Sequence, residues 1–197
     1  MEQKTTNFIE KIPKEVSHVT ETLEKAGFSA YLVGGCVRDL ILNKEPKDWD
    51  VTTNAKPEQI VALFEKTIYE NNFGTVAVCV PLEALAKKDV SHETKEDVAR
   101  ETPEYIIVEV TPYRTEAKYS DFRHPDEVKF SDNIEDDLKR RDFTINAMAL
   151  RLEDKNPVMD IYGGLKDIKD KVVRAVGNPD ERFAEDALRM LRAVRFM

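Results

Sequence analysis

Val16, Val19 and Leu23 recur at helical spacing behind Ile12-Pro13-Lys14, so the chain is predicted to open on an amphipathic helix, with Pro13 near its first position and Gly27 stopping it. Ala30 to Val33 then reads as a short apolar strand that ends at Gly34-Gly35, with a helix from Cys36 to about Leu42. Trp49 and Val51 alternate with Asp48 and Asp50, the period-two pattern of a strand. Lys56-Pro57-Glu58 starts another helix, with Ile60, Leu63 and Phe64 on its apolar face. Thr75 to Val80 and Tyr105 to Val110 are β-branched runs and predict two more strands.

Leu82 to Glu104, between those strands, is charged and poor in aromatics, and reads as a solvated excursion, partly helical over Leu82 to Lys88. Tyr113 to Val128 is polar without a clear period and predicts a mobile loop. Asp136 to Leu150 reads as a helix with Leu138, Phe143, Ala147 and Met148 inward. After Gly163-Gly164 the chain turns helical, and Pro179 to Met197 is a strong helix pattern. That pattern stops in mid-period with neither cap nor glycine, so a longer natural chain is expected. No internal repeat is evident.

Composition narrows the class. Of 197 residues, 41% are hydrophobic and 35% charged, which excludes a disordered or membrane-embedded chain. No apolar run approaches the ~20 residues of a membrane helix, and the opening MEQKTTNFIEKIPKE lacks the apolar core of a signal peptide. Cys36 and Cys79 have no Cys or His neighbours at zinc spacing, and read as small buried hydrophobes in a reducing, cytoplasmic setting. The net charge of −8 argues mildly against a chain that grips RNA by itself, because phosphate neutralisation supplies most such affinity. A head that handles metal and nucleotide, with its RNA grip elsewhere, reconciles the two.

The first chemical signal is Asp48-Trp49-Asp50. On a strand both carboxylates project to one side, and carboxylates held side by side repel unless cations neutralise them, which suits hard metals. Alone, such a pair is more often two surface acids. Upstream, Gly34-Gly35-Cys36-Val37-Arg38 changes that weighting. Glycines let a phosphate approach the backbone, a helix start offers free N–H groups, and Arg38 adds a cation one turn in.

Together these residues carry a resemblance. LVGGCVRDLIL and KDWDVTT are similar to motif A of tRNA nucleotidyltransferases and bacterial poly(A) polymerases, the class II branch of the polymerase-beta-like superfamily. Further matches follow in order: Glu135 to Ala147 resembles motif B, Asp160 to Arg174 motif C, and Glu185-Asp186-Ala187-Leu188-Arg189 motif D. The resemblance spans Ala30 to Met197 and implies an α+β fold. That fold is a polymerase-beta-like head over residues 1–164, a small mixed sheet with helices on one side, then the start of a helical neck over 165–197. It implies that Asp48 and Asp50 hold two Mg²⁺ ions, with Glu109 as the third carboxylate, and that Gly34, Gly35 and Arg38 take the triphosphate.

Arg141 and Asp142 are placed by the resemblance at the ribose and triphosphate, where a carboxylate accepting from a 2′-hydroxyl demands a ribonucleotide. Asn146, on the same face of the predicted helix, supports the sugar. Asp186 and Arg189, three apart on one predicted helix face, meet the amine and ring nitrogens of cytosine and adenine, and Arg192 adds a triphosphate contact. Helix arithmetic alone reads the same residues as an amphipathic surface with an i,i+3 ion pair. The implied activity is addition of CMP and AMP from CTP and ATP to the 3′ end of tRNA. A poly(A) polymerase shares every motif, and a nucleotide- or RNA-binding module with little activity is the alternative from another class. His18, His92 and His124 scatter without pairing.

Overall fold

The computed structural model describes residues 9–69, 74–82, 104–117, 120, 125, 127–154 and 156–197. Helix α1 (Lys14–Lys25) follows Pro13 at its N-cap and buries Val16, Val19 and Leu23 completely. Each such burial stabilises the fold by roughly 1.5–3 kcal/mol relative to exposure. Strand β1 (Ala30–Val33), helix α2 (Gly35–Ile41), strand β2 (Trp49–Thr53) and helix α3 (Pro57–Leu63) come next. Strands β3 (Thr67–Tyr69), β4 (Val76–Pro81) and β5 (Tyr105–Pro112) complete the first half. The predicted excursion between β4 and β5 falls almost wholly on residues 83–103, outside the described residues.

A seven-stranded sheet has the order β3-β4-β5-β2-β1-β8-β9, where β8 is Met148–Leu150 and β9 is Val158–Asp160. Its pairs are antiparallel except β2 with β5, which run parallel, so the sheet is mixed. One face carries Leu32, Trp49, Val51, Val76, Val78, Val108 and Val110 into a core shared with α1, α2 and α3. The opposite face of β1 and β8 presents Val33 and Ala149 to Leu138 of α4 (Ile134–Lys139). Helices therefore lie on both faces, not on one side as the resemblance implied.

Three further expectations are corrected. Asp136 to Leu150 is not one helix: α4 ends at Lys139, a 3₁₀ turn spans Thr144–Asn146, and β8 (Met148–Leu150) pairs with β1 and with β9 (Val158–Asp160). Leu138, Phe143, Ala147 and Met148 are all buried as expected. Short segments of different type nevertheless bury such residues at spacings that imitate one helix. The stretch from Tyr113 is not simply a loop, because β6 (Arg114–Ala117) and β7 (Glu127–Phe130) pair as a second, two-stranded sheet. Its alternation was hidden because Arg114 and Glu116 turn charged groups inward, toward Arg140.

After α5 (Gly164–Asp170), the predicted final helix is two helices, α6 (Pro179–Glu185) and α7 (Leu188–Phe196). The break falls at Asp186, whose backbone is extended (φ −137, ψ 107) and whose Oδ1 accepts from the Leu188 N–H at 2.9 Å. An aspartate that satisfies a free N–H of the next helix competes with helix continuation. Gly164 is fixed by space: a Cβ there would lie 2.3 Å from the Thr144 carbonyl oxygen and 3.0 Å from Met148. Among the described residues no helix is long and apolar enough to cross a membrane.

Candidate nucleotide and metal site

The register of β2 with β5 sets the carboxylates. Asp50 pairs with Glu109, while the flanking Trp49, Val51, Val108 and Val110 are buried on the core side. Adjacent residues of paired strands share a face, so Asp50 and Glu109 stand side by side on the other side. Asp48, two residues before Asp50 and exposed, extends that face. Burial pushes the Asp50 carboxyl above its ordinary range. The charge of Asp48 adds to this, and Arg141 and Arg192 partly oppose it. Among the described residues Asp50 makes no ion pair, and no trio of His, Cys, Asp or Glu is gathered closely enough to hold a metal as placed. Donor chemistry still fits a divalent cation: a desolvated carboxylate beside two others gains most from a hard positive charge.

Beside Asp50 opens a cavity of about 570 Å³. Gly34, Gly35, Arg38, Arg141, Asp142, Asn146, Asp186, Arg189 and Arg192 line it together with Asp50, so residues far apart in sequence meet there as expected. Asp48 and Glu109 do not line it. Gly34 has φ +76 and ψ −132, a conformation open to glycine. A Cβ at Gly34 would meet Arg141 Nη1 at 3.0 Å and Asp50 Oδ2 at 3.4 Å, so the missing side chain is what lets cation and carboxylate approach the turn.

A polar chain runs across the cavity wall. Arg38 donates to Asp39 Oδ1 (2.8 Å) and to Asn146 Oδ1 (2.7 Å). Asn146 in turn donates to Asp142 Oδ1 (3.1 Å), and Arg192 donates to Asp142 Oδ2 (2.7 Å). Asn146 thus reaches Asp142 through the 3₁₀ turn and not along a shared helix face, which corrects the sequence-based geometry while keeping the contact. Phe196 packs beneath the Arg38 guanidinium, 4.9 Å from the ring centroid.

Asp186 and Arg189 do not share a face of one continuous helix. Arg189 is buried and donates to Glu185 Oε2 (2.8 Å) and to the carbonyls of Arg182 (3.1 Å) and Arg140 (3.3 Å). The pair reaches the cavity from the break itself and from the first turn of α7.

Sequence reasoning passed over the support of Arg141. Asp137 is fully buried and accepts from Arg140 (2.7 Å) and Arg141 (2.9 Å). Burial alone would raise its carboxyl, but the two guanidiniums outweigh it and hold the group below the ordinary carboxylate range. Arg140 continues to Glu116 (2.9 Å), which also holds Arg114 (2.9 Å). The signal was the acid run Glu135-Asp136-Asp137 one turn before Arg140-Arg141, which reads as a solvated helix start. Arg195, Phe196 and Leu188 of α7 also line the cavity.

The cavity therefore concentrates Arg38, Arg114, Arg140, Arg141, Arg189, Arg192 and Arg195 in a chain whose net charge is −8. A local cationic basin in an acidic protein draws a polyanion to one place. Carboxylates at its edge and guanidiniums along its wall are the equipment of phosphoryl transfer to or from a triphosphate.

Comparison with known proteins agrees with this chemistry. A sequence model of the poly A polymerase head domain matches residues 30–174. The chain belongs to that family. It is 44% identical over 190 residues to the CCA-adding enzyme of Lactobacillus helveticus (strain DPC 4571), covering 96% of this chain and 40% of that protein. Over 190 residues it is 44% identical to the CCA-adding enzyme of Bacillus subtilis (strain 168), covering 96% of this chain and 42% of that one. The chain thus spans about two fifths of the length of these curated relatives. The crystal structure of the Bacillus stearothermophilus CCA-adding enzyme in complex with CTP is similar with a TM-score of 0.70 and 37% identity, over 93% of this chain and 38% of that one.

Proposed function

We propose that this chain is the catalytic head of a template-independent RNA nucleotidyltransferase that adds CMP and AMP, from CTP and ATP, to the 3′ end of tRNA. The observation that carries the reading is the meeting of the Asp50 edge, the Gly34 turn and the arginine-lined wall in one cavity. Relatives named CCA-adding enzymes support the choice of product over a poly(A) tail. One solved neighbour, 30% identical, is described as complexed with a primer tRNA and an incoming ATP analog. Residues 1–164 form the head in this reading, and 165–197 begin the helical neck that carries base recognition. The cytoplasmic setting belongs to the same proposal and suits two buried free cysteines.

Asp48 and Asp50, completed by Glu109, would hold two Mg²⁺ ions, whose chemistry when bound is Lewis-acid activation of the RNA 3′-hydroxyl and stabilisation of the leaving pyrophosphate. Gly34, Gly35 and Arg38 receive the triphosphate at the turn, with Arg141 and Arg192 along its flank. Asp142 accepts from the ribose 2′-hydroxyl, exchanging its present Arg192 partner for substrate, while Asn146 holds its other oxygen. Asp186 and Arg189 read the base edge: an acceptor for the exocyclic amine and a donor for ring nitrogens suit cytosine and adenine and mismatch uracil and guanine. Arg189 must turn from the Arg140 carbonyl to do so.

The test is incorporation of labelled CMP and AMP into tRNA lacking its 3′ end. We expect Mg²⁺-dependent transfer that EDTA abolishes. Triphosphate binding without any transfer would instead support a binding module, and homopolymeric AMP addition a poly(A) polymerase.

A further inference from the structure

The carboxylates lie between two unlike parts of one sheet face. On the β1 side are the Gly34 turn and the arginine wall. On the other side is β5, then β4, then the edge strand β3. In-line displacement places the attacking oxygen opposite the leaving pyrophosphate. If the β1 side holds the triphosphate, the RNA terminus must approach over β5.

That side carries a fitting set of groups. Tyr105, Ile107 and Glu109 alternate onto the carboxylate face of β5, while Val108 and Val110 point into the core. Ile107 stands one register position before the Trp49–Val108 pair, which sets it beside Asp48. It is 54% exposed although it neighbours a charged site. Lys66, whose carbonyl accepts from the Cys79 N–H at 3.0 Å, reaches over Tyr105 with its ammonium 3.9 Å from the ring centroid. An aromatic ring, a cation fixed on it and an exposed aliphatic side chain in line with metal-type carboxylates are the parts of a single-strand RNA platform.

We propose that Lys66, Tyr105 and Ile107 seat the 3′-terminal nucleotides of the RNA primer, an assignment that rests on the transferase reading above. Ile107 supports the terminal sugar or base so that its 3′-hydroxyl faces Asp48 and Asp50. Tyr105 carries the preceding base, and Lys66 neutralises one phosphate.

The test uses the full chain and a fluorescently labelled RNA hairpin with a single-stranded 3′ tail, read by anisotropy and by transfer kinetics. Tyr105→Ala and Ile107→Ser should each weaken RNA binding and raise the RNA KM about tenfold, the scale of one lost stacking contact. The KM for CTP should not move. Tyr105→Phe should restore RNA binding. Lys66→Ala should flatten the dependence of log affinity on log salt by about 0.7, one single-strand phosphate contact. RNA affinities within about twofold of wild type in all three loss variants would overturn the platform. A rise in the CTP KM equal to that for RNA would also overturn it, as a merely structural effect. Wild-type protein that binds the hairpin but transfers no nucleotide would sink the transferase reading, while the binding arm still decides the platform.

Discussion

Asp50 and Asp186 line the same cavity, yet they stand on different kinds of support. Asp50 projects from a central strand with a paired neighbour on each side and a buried core beneath it. Asp186 sits in an extended break between two short helices, and α7 beyond it leaves Leu191 68% and Val194 69% exposed. The first support is over-determined by ladder bonds and packing. The second is held by side-chain contacts in place of a ladder: the Asp186 cap, the buried Arg189, the Arg192–Asp142 ion pair and Phe196 against Phe143. In our reading, invariant chemistry rests on the rigid half and base choice on the adaptable half. A group that must meet two different bases gains from such a support.

The sharpest way to break this contrast is on the rigid side. Asp48→Ala removes an exposed carboxylate and should leave the fold intact while lowering transfer by about a thousandfold, since metal stabilisation of transition-state charge is worth several kcal/mol. Primer extension at saturating CTP measures it; transfer within about tenfold of wild type would count against the metal assignment.

Asp137→Ala should lower stability by about 3–5 kcal/mol, because it leaves two guanidiniums beside a buried gap. Arg141 would lose its anchor, so CTP affinity should fall with it. The sign of the pH effect is set by the direction of its shift. A carboxyl held below its unfolded value stabilises fully above that value, and its contribution is lost as pH falls through the lower folded value. Urea unfolding of wild type and variant should therefore converge in strong acid and diverge toward neutrality. A constant gap at every pH would contradict the ion-pair account.

Gly164→Ala tests the junction where α5 packs on the 3₁₀ turn. Its Cβ would collide with the Thr144 carbonyl, and overpacking of this kind costs roughly 1–3 kcal/mol. Thermal melting should show it; an unchanged melting temperature would mean that the junction yields.

On the adaptable side, Asp186→Ala should raise UMP relative to CMP incorporation, since removing the acceptor for the exocyclic amine lifts a penalty of ~1–3 kcal/mol on a base that presents a carbonyl there. Arg189→Ala should weaken CTP and ATP together. Single additions with each of the four triphosphates read both. Wild-type preference in both variants would reduce the pair to a helix cap and an internal ion pair.

The same contrast explains what was legible in the sequence. Trp49 to Val51 and Val108 to Val110 alternate with period two, and Tyr105 to Val110 is rich in β-branched residues, so strand identity and the facing of Asp50 and Glu109 could be read directly. Motif order alone brought Gly34, Arg141, Asp142 and Asp186 toward one site, and they line one cavity. What failed was local: the break at Asp186, the strand at Met148–Leu150 and the hairpin at Arg114. The strand and the hairpin depend on partners distant in sequence, and the break on a side-chain cap inside an otherwise helical pattern. Met148 is a strand residue because β1 and β9 flank it, and Arg114 points inward because Glu116, itself fixed by Arg140, receives it. Asp137 carried no signal of its own, because its two arginines stand at the i,i+3 and i,i+4 spacings of any exposed helix.

Asp50→Asn tests the central claim most directly, because it separates fold from chemistry at one atom. Asp50 has its carboxyl raised by burial, so in the metal-free protein its ionisation costs stability as pH climbs from the unfolded value through the folded one. The asparagine variant escapes that cost. Melting in EDTA across acid to neutral pH, paired with CMP transfer to RNA in Mg²⁺, should show a variant more stable than wild type at neutral pH and devoid of transfer. A variant that transfers CMP at near wild-type rate, or one that is less stable at neutral pH, would contradict the account.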